Sequence, residues 1–143
     1  MDRIISYTEK YMSKGYRHDV VSESFAQAVA EAACSSADDL NAKTIAAFSR
    51  SGFTALLVSK FRPRVPITGF TAAEGSRRRM SLYWGVTPHI MKFPDNTDEM
   101  IAESEQTLRK KRIARRGDSI VIIATSPFVS GGNSNIMKLH KLS

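Results

Sequence analysis

The stretch from Lys43 to Pro63, KTIAAFSRSGFTALLVSKFRP, constrains the fold more than any other part of the chain. Thr44 to Phe48 is a short β-prone run, and Ser49-Arg50-Ser51-Gly52 is a hydroxyl-rich, basic turn. Phe53, Leu56, Leu57 and Phe61 then recur at helical spacing until Pro63 stops the helix. The first turn of a helix has amide N–H groups without internal partners and carries the positive end of the dipole. A loop that leads into it suits an anion, most often a phosphate. Ser49, Ser51 and Thr54 offer hydroxyl donors, Arg50 offers charge, and Gly52 lets a ligand approach the backbone. The plainer alternative is a serine that only caps the helix.

The 143 residues match one domain, and 42% of them are apolar, enough for a core. No apolar run approaches the roughly 20 residues of a membrane helix. MDRIISYTEKYM lacks the apolar block of a signal peptide. A single cysteine, Cys34, excludes an internal disulfide and a multi-thiolate metal site. These features together predict a cytoplasmic protein. The net charge of +7 is concentrated in Arg77-Arg78-Arg79 and in RKKRIARR, Arg109 to Arg116. Such a balance fits nucleic acid or a phosphorylated small molecule.

The rest of the chain alternates helices and strands. Ile4, Tyr7 and Tyr11 predict a helix over 2–14. Asp19 or Ser22 is expected to cap a second helix, running to about Ala37, with Val21, Phe25, Val29 and Ala32 as its stripe and Ala28 and Ala33 beside it. Its many alanines predict close packing against another surface. Residues 65–70 read as a buried strand, Thr71 to Tyr83 as a helix begun by Thr71, and 86–93 as an irregular strand. Asn96 and Glu99 are spaced as a capping pair for a helix to about Ile113 that turns Met100, Ile101 and Leu108 inward. Ser119 to Thr125, SIVIIAT, has the unbroken apolar run of a strand buried on both faces. After the loop SPFVSGGNSN, Met137 and Leu139 alternate with Lys138 and His140 as a last, half-buried strand. The pattern predicts an α/β fold with a mostly parallel sheet and helices on both faces. Ligands then sit beyond the carboxyl ends of the strands. The Ser49–Gly52 and Ser130–Ser134 loops are expected to meet there if their strands are parallel.

The chain has no dinucleotide fingerprint, Walker motif, H-E-x-x-H or G-x-S-x-G. His18, His89 and His140 stand far apart in sequence and read as surface or packing residues. Cys34 reads as a small core residue, and Trp84 as packing.

KTIAAFSRSGFTALLVSKFRPRVPITGFT resembles the strand, phosphate loop, helix and "S-K-x-R-P-x-x-P-I" continuation of the C-terminal domain of pyruvate kinase. Arg78, Leu82, Trp84-Gly85-Val86 and Pro88 resemble its "R-x-x-x-L-x-W-G-V-x-P" stretch. Gly117-Asp118 with the following strand is similar to its "G-D-x-V-V", and Gly132-Asn133-Ser134-Asn135 to its "G-x-T-N", with Ser for Thr. MDRIISYTEKYM resembles the helix that leads from the barrel into this domain. The likeness covers essentially the whole chain. It implies one domain over 1–143, with 1–16 leading in, and a three-layer αβα sandwich around a five-stranded sheet whose last strand is antiparallel. It also implies subunit contacts in a tetramer and an allosteric site for a sugar phosphate such as fructose 1,6-bisphosphate. The family's phosphate loop falls on Ser49, Arg50, Ser51, Gly52, Phe53 and Thr54. Its second effector loop falls on Ser130, Gly131, Gly132, Asn133, Ser134 and Asn135.

The catalytic barrel, with its lysine, its Mg²⁺ carboxylates and its K⁺ site, has no counterpart among these residues. No catalytic residue and no metal is therefore expected in this chain, and it is not expected alone to convert phosphoenolpyruvate and ADP to pyruvate and ATP. In animal members that respond to fructose bisphosphate, a further tryptophan and arginine precede the last parallel strand. Arg112, Arg115 and Arg116 are the candidates here to supply that cation. The implied partners are the barrel domain, the effector and further copies of the chain. A free-standing phosphometabolite-binding protein or small phosphate-handling enzyme is the second reading. A nucleic-acid-binding module is the third, although no nucleic-acid motif or aromatic-basic interleaving is present.

Overall fold

The computed structural model describes residues 24–124 and 136–143. The chain there runs α1 (Phe25–Leu40), β1 (Ile45–Phe48), α2 (Phe53–Lys60), β2 (Ile67–Thr71), α3 (Glu74–Met80), β3 (Val86–Ile90), α4 (Thr97–Lys110), β4 (Ser119–Ala124) and β5 (Ile136–Lys141). The strands form one sheet in the order β3-β2-β1-β4-β5. Strands β3, β2, β1 and β4 are mutually parallel, and β5 runs antiparallel to β4. The expected α/β architecture with an antiparallel last strand is therefore present.

Successive residues of a strand point to opposite faces, and β1 shows both faces buried. Ile45 and Ala47 meet Ala33, Cys34 and Ala37 of α1, Ala55 and Val58 of α2, and Met80 of α3. Ala46 and Phe48 meet Met100 and Leu108 of α4, with Phe70, Ile120 and Ile122 beside them. Three helices thus cover one face and α4 covers the other. Pro88 sits in β3, an edge strand, where its missing donor is tolerated.

Several sequence expectations are corrected. Ser24 caps α1, accepting from Gln27 N at 3.1 Å, and the helix continues to Leu40. Its buried row is Ala26, Ala30, Ala33, Cys34 and Ala37, while Phe25 is 83% exposed, Val29 only half-buried and Ala32 exposed. The alanine row wins because the smallest side chains let the helix lie closest to the sheet. In α2 the buried residues are likewise Thr54, Ala55, Val58 and Ser59, with Leu56, Leu57 and Phe61 half-buried and Phe53 exposed. Helix α3 begins after Ala73 and ends at Met80; Thr71 Oγ1 accepts from Ala73 N at 3.3 Å instead of occupying the cap. Strand β3 is regular and stops at Ile90, and α4 stops at Lys110. On β5, Met137 packs on the α1 face, but Leu139 is exposed and His140 is half-buried against α4. The expected helix over 2–14, Val21 and the Ser130–Asn135 loop lie outside the described residues.

Candidate anion site

Strand β1 lies at the point where the strand order reverses: the chain builds β2 and β3 on one side of it, then β4 on the other. In open α/β sheets the crevice beyond the carboxyl ends of the strands at such a reversal is where ligands bind. The Ser49–Gly52 turn leaves β1 at that point, and Ser49 N donates to Phe70 O of β2 at 2.9 Å. Ala47 pairs in register with Ile123, so Phe48 and Ala124 leave the sheet at the same end.

Within the turn the serines have different tasks. Ser49 Oγ accepts from Gly52 N at 2.9 Å and from Thr54 N at 3.3 Å. Ser49 is 5% and Thr54 7% exposed, so both shape the turn from inside. Ser51 and Arg50 face solvent, and Ser51 Oγ accepts from Phe53 N at 3.3 Å. Gly52 occupies the N-cap position with φ +90°. A Cβ there would come 3.1 Å from Met80 Cγ and 3.7 Å from the Tyr83 ring. Two features of the fold, the left-handed backbone and packing against α3, therefore require glycine at this position before any ligand approach is considered.

Helix α3 buttresses the turn from the far side. Ser76 Oγ donates to Arg50 O at 2.6 Å, and Thr71 Oγ1 to the same carbonyl at 3.2 Å. Arg79 Nη2 donates to Ser51 O at 3.0 Å and to Ser76 Oγ at 3.1 Å. The Arg50 guanidinium lies 5.6 Å over the Phe93 ring. Of the three consecutive arginines, Arg77 binds Glu74 through Nε at 2.9 Å and through Nη2, and Arg78 Nε lies 3.7 Å from it. The Arg77 donors, bonded first and charged second, hold the Glu74 carboxyl below its usual range and raise Arg77. Arg79 instead reaches the loop. In sequence all three form one charge cluster; the i,i+3 spacing of Arg79 from Ser76 is the signal that sets it apart.

The Phe53 N–H is taken up by Ser51 Oγ, so the donors that face solvent at this turn are the Ser51 hydroxyl and the guanidinium groups of Arg50 and Arg79. They can meet a phosphate at its oxygens with two charge-assisted groups. Among the described residues no group of three or more His, Cys, Asp or Glu side chains is placed to hold a metal ion. His140 Nε2 lies 2.6 Å from Glu105 Oε1, while His89 Nε2 is buried with no hydrogen bond among the described residues. The carboxyl of Glu105 is lowered by that His140 bond, then by the Ser143 N–H. His89 is pushed down by burial, and further by the charge of Lys111.

Arg112, Arg115 and Arg116 do not join this turn, which corrects the sequence expectation. They line a cleft with Lys43 and Asp118, the residues that lead into β1 and β4. Lys43 N donates to Ser119 O at 2.8 Å, at the amino end of the parallel pair. Six residues of extended chain separate Lys43 from Ser49, on the order of 20 Å.

The family model described as "Pyruvate kinase, alpha/beta domain" matches residues 27–140. A pyruvate kinase of Lactobacillus delbrueckii subsp. bulgaricus is 37% identical over 114 residues, which cover 80% of this chain and 19% of that protein. A pyruvate kinase of Sporosarcina psychrophila is 34% identical over 146 residues, covering 98% of this chain and 25% of that protein. The crystal structure of a pyruvate kinase from Cryptosporidium parvum has the same fold, with a TM-score of 0.81 at 23% identity over 94% of this chain and 26% of that one. The chain spans about a fifth to a quarter of the length of these curated relatives.

Proposed function

Because this chain belongs to the pyruvate kinase family, as its C-terminal α/β domain, we propose that it is the regulatory and assembly domain of a pyruvate kinase. Its ligand is a phosphorylated effector such as fructose 1,6-bisphosphate. One phosphate sits at the turn of Ser49, Arg50, Ser51, Gly52, Phe53 and Thr54. The second phosphate or the sugar meets the loop of Ser130, Gly131, Gly132, Asn133, Ser134 and Asn135. The observation that carries this reading is the place of the turn: it opens a helix at the reversal of strand order, with Ser51 and Arg50 exposed on it and Arg79 bonded to its Ser51 carbonyl. Ser49 and Thr54 hold the turn in shape; the Ser51 hydroxyl and the two arginines meet the phosphate, and the Phe53 N–H joins them once it leaves Ser51 Oγ.

Phosphoryl transfer, with its Mg²⁺ and K⁺, belongs on this reading to the barrel domain. Rigorously purified chain alone should not form pyruvate and ATP from phosphoenolpyruvate and ADP. A cytoplasmic location is part of the same reading; no helix among the described residues is long and apolar enough to cross a membrane. Calorimetric titration with fructose 1,6-bisphosphate, sugar monophosphates and nucleotides tests the effector site. Binding should weaken about a hundredfold or more in Ser51→Ala with Arg50→Ala, since charged hydrogen bonds contribute about 1.5–3 kcal/mol each. If none of these compounds binds the unmodified chain with heat that depends on Ser51 and Arg50, the serines only cap α2.

A further inference from the structure

The cleft at the amino ends of β1 and β4 is a second anion-binding candidate, separate from the turn described above. It encloses about 630 Å³, within the range of pockets that hold small ligands. Among the described residues, Lys43, Arg109, Arg112, Arg115 and Arg116 line it with a single carboxylate, Asp118. That carboxylate is engaged, since Asp118 Oδ2 accepts from Arg115 N at 2.9 Å. Arg109 lies 3.7 Å from Glu105; among the described residues no ion pair is formed by Lys43, Arg112, Arg115 or Arg116.

The negative end of the α4 dipole accounts for Arg109, in its last turn, but the dipole effect fades within that turn. The other four cations lie beyond it, and gathering like charges around one hollow is unfavourable unless an anion joins them. The hollow is also built rigidly. Arg112 reverses the chain at φ +59° and Gly117 at φ +90°. Gly117 N donates to Leu142 O and Leu142 N to Asp118 O, each at 2.9 Å. Those two bonds tie the arginine-bearing turn to the chain end that follows β5. Ala114 is buried and Ile113 half-buried beneath it.

We infer that this cleft binds a small ligand carrying two or more linked phosphate groups, such as a nucleoside diphosphate or pyrophosphate. Guanidinium forks match phosphate oxygens in pairs, so three arginines and a lysine suit a pyrophosphoryl group better than a single phosphate. Among the described residues no aromatic side chain lines the cleft to stack a base, so the phosphates rather than a base or a nucleic-acid strand are the groups it recognises.

The test is calorimetric titration of the full chain with pyrophosphate and with ADP at low ionic strength. Both should bind, and Arg112→Asn with Arg116→Ser should weaken each about tenfold or more. Asparagine is chosen because it tolerates the left-handed backbone. Ser51→Ala, at the other end of the sheet, should leave pyrophosphate binding unchanged. If the double variant melts early, Lys43→Ser, exposed on a different segment, should show the same loss. ADP binding more tightly than pyrophosphate assigns a nucleotide; equal affinities assign the phosphates alone. The inference fails if neither compound binds, if the cleft variants bind as the unmodified chain does, or if duplex DNA binds more tightly than pyrophosphate with a steeper salt dependence. None of these failures touches the Ser49–Thr54 turn, where Ser51→Ala and Arg50→Ala report.

Discussion

Ser49 holds two backbone amides with one buried oxygen, at 2.9 and 3.3 Å, and so sets the shape of the whole turn. Ser49→Ala would leave both buried donors unmatched and should cost about 1–2 kcal/mol in denaturant unfolding. Ser51→Ala removes an exposed hydroxyl and should stay within about 0.5 kcal/mol. Equal losses in the two variants would mean that the serines share one task. The sequence displayed both residues and their hydroxyl chemistry, but not which was buried, because burial depends on how α3 packs across the turn. Gly52 was similarly legible as a special position, while its reason, Met80 at 3.1 Å from a would-be Cβ, comes from a residue 28 positions away. Gly52→Ala should therefore be destabilising by about 1–3 kcal/mol through backbone strain alone, as measured by the same unfolding curves.

At the scale of elements, periodicity placed the helices well but chose the wrong faces. In α1 and α2 the large apolar residues suggest the inward stripe, yet Ala30 and Ala55 face the sheet and Phe25 does not; Ala33, expected beside that stripe, is buried. A hydropathy pattern records which side chains are oily, whereas the distance of the helix from the sheet decides which of them fit. Local signals fared better. Asn96 does accept from Glu99 N at 2.9 Å, although the Glu99 carboxylate returns to Asp95 N rather than to the cap. The join of α4 to β5 rests on Glu105, which meets His140 Nε2 and Ser143 N, and no sequence spacing announced it. Its folded-state pKa lies below 4.5. Stability from this group is therefore full above the unfolded pKa and is lost as pH falls through the folded one. Glu105→Gln should be less stable than the unmodified chain at neutral pH, and the gap should close as pH falls below about 4.5. His89 has its folded pKa lowered too. The unfolded chain then takes up a proton first, so stability should begin to fall below about pH 6.5. His89→Leu should flatten that slope, and an unchanged slope would place the titration elsewhere.

At the scale of the molecule, alternation of strands and helices was enough to forecast a mostly parallel sheet, and the resemblance supplied the antiparallel last strand. The strand order was not legible, because chain order does not say on which side of β1 the later strands add. That order positions both candidate sites. It sets the Ser49–Gly52 turn at the reversal and carries Arg112, Arg115 and Arg116 to the opposite end. The alanine row of α1 is spent inside the domain, which leaves β5, paired only with β4 among the described residues, as an open edge. Pairing of that edge across a two-fold axis should give dimers at hundreds of micromolar in sedimentation, and Leu139→Lys on the exposed strand should weaken them. Only monomer at that concentration would remove this part of the account. The central claim is the phosphate site, and amide chemical-shift mapping with fructose 1,6-bisphosphate tests it most directly. The account predicts saturable shifts at Ser51, Gly52 and Phe53 that vanish in Ser51→Ala with Arg50→Ala; shifts confined to Arg112–Arg116, or none at all, would contradict it.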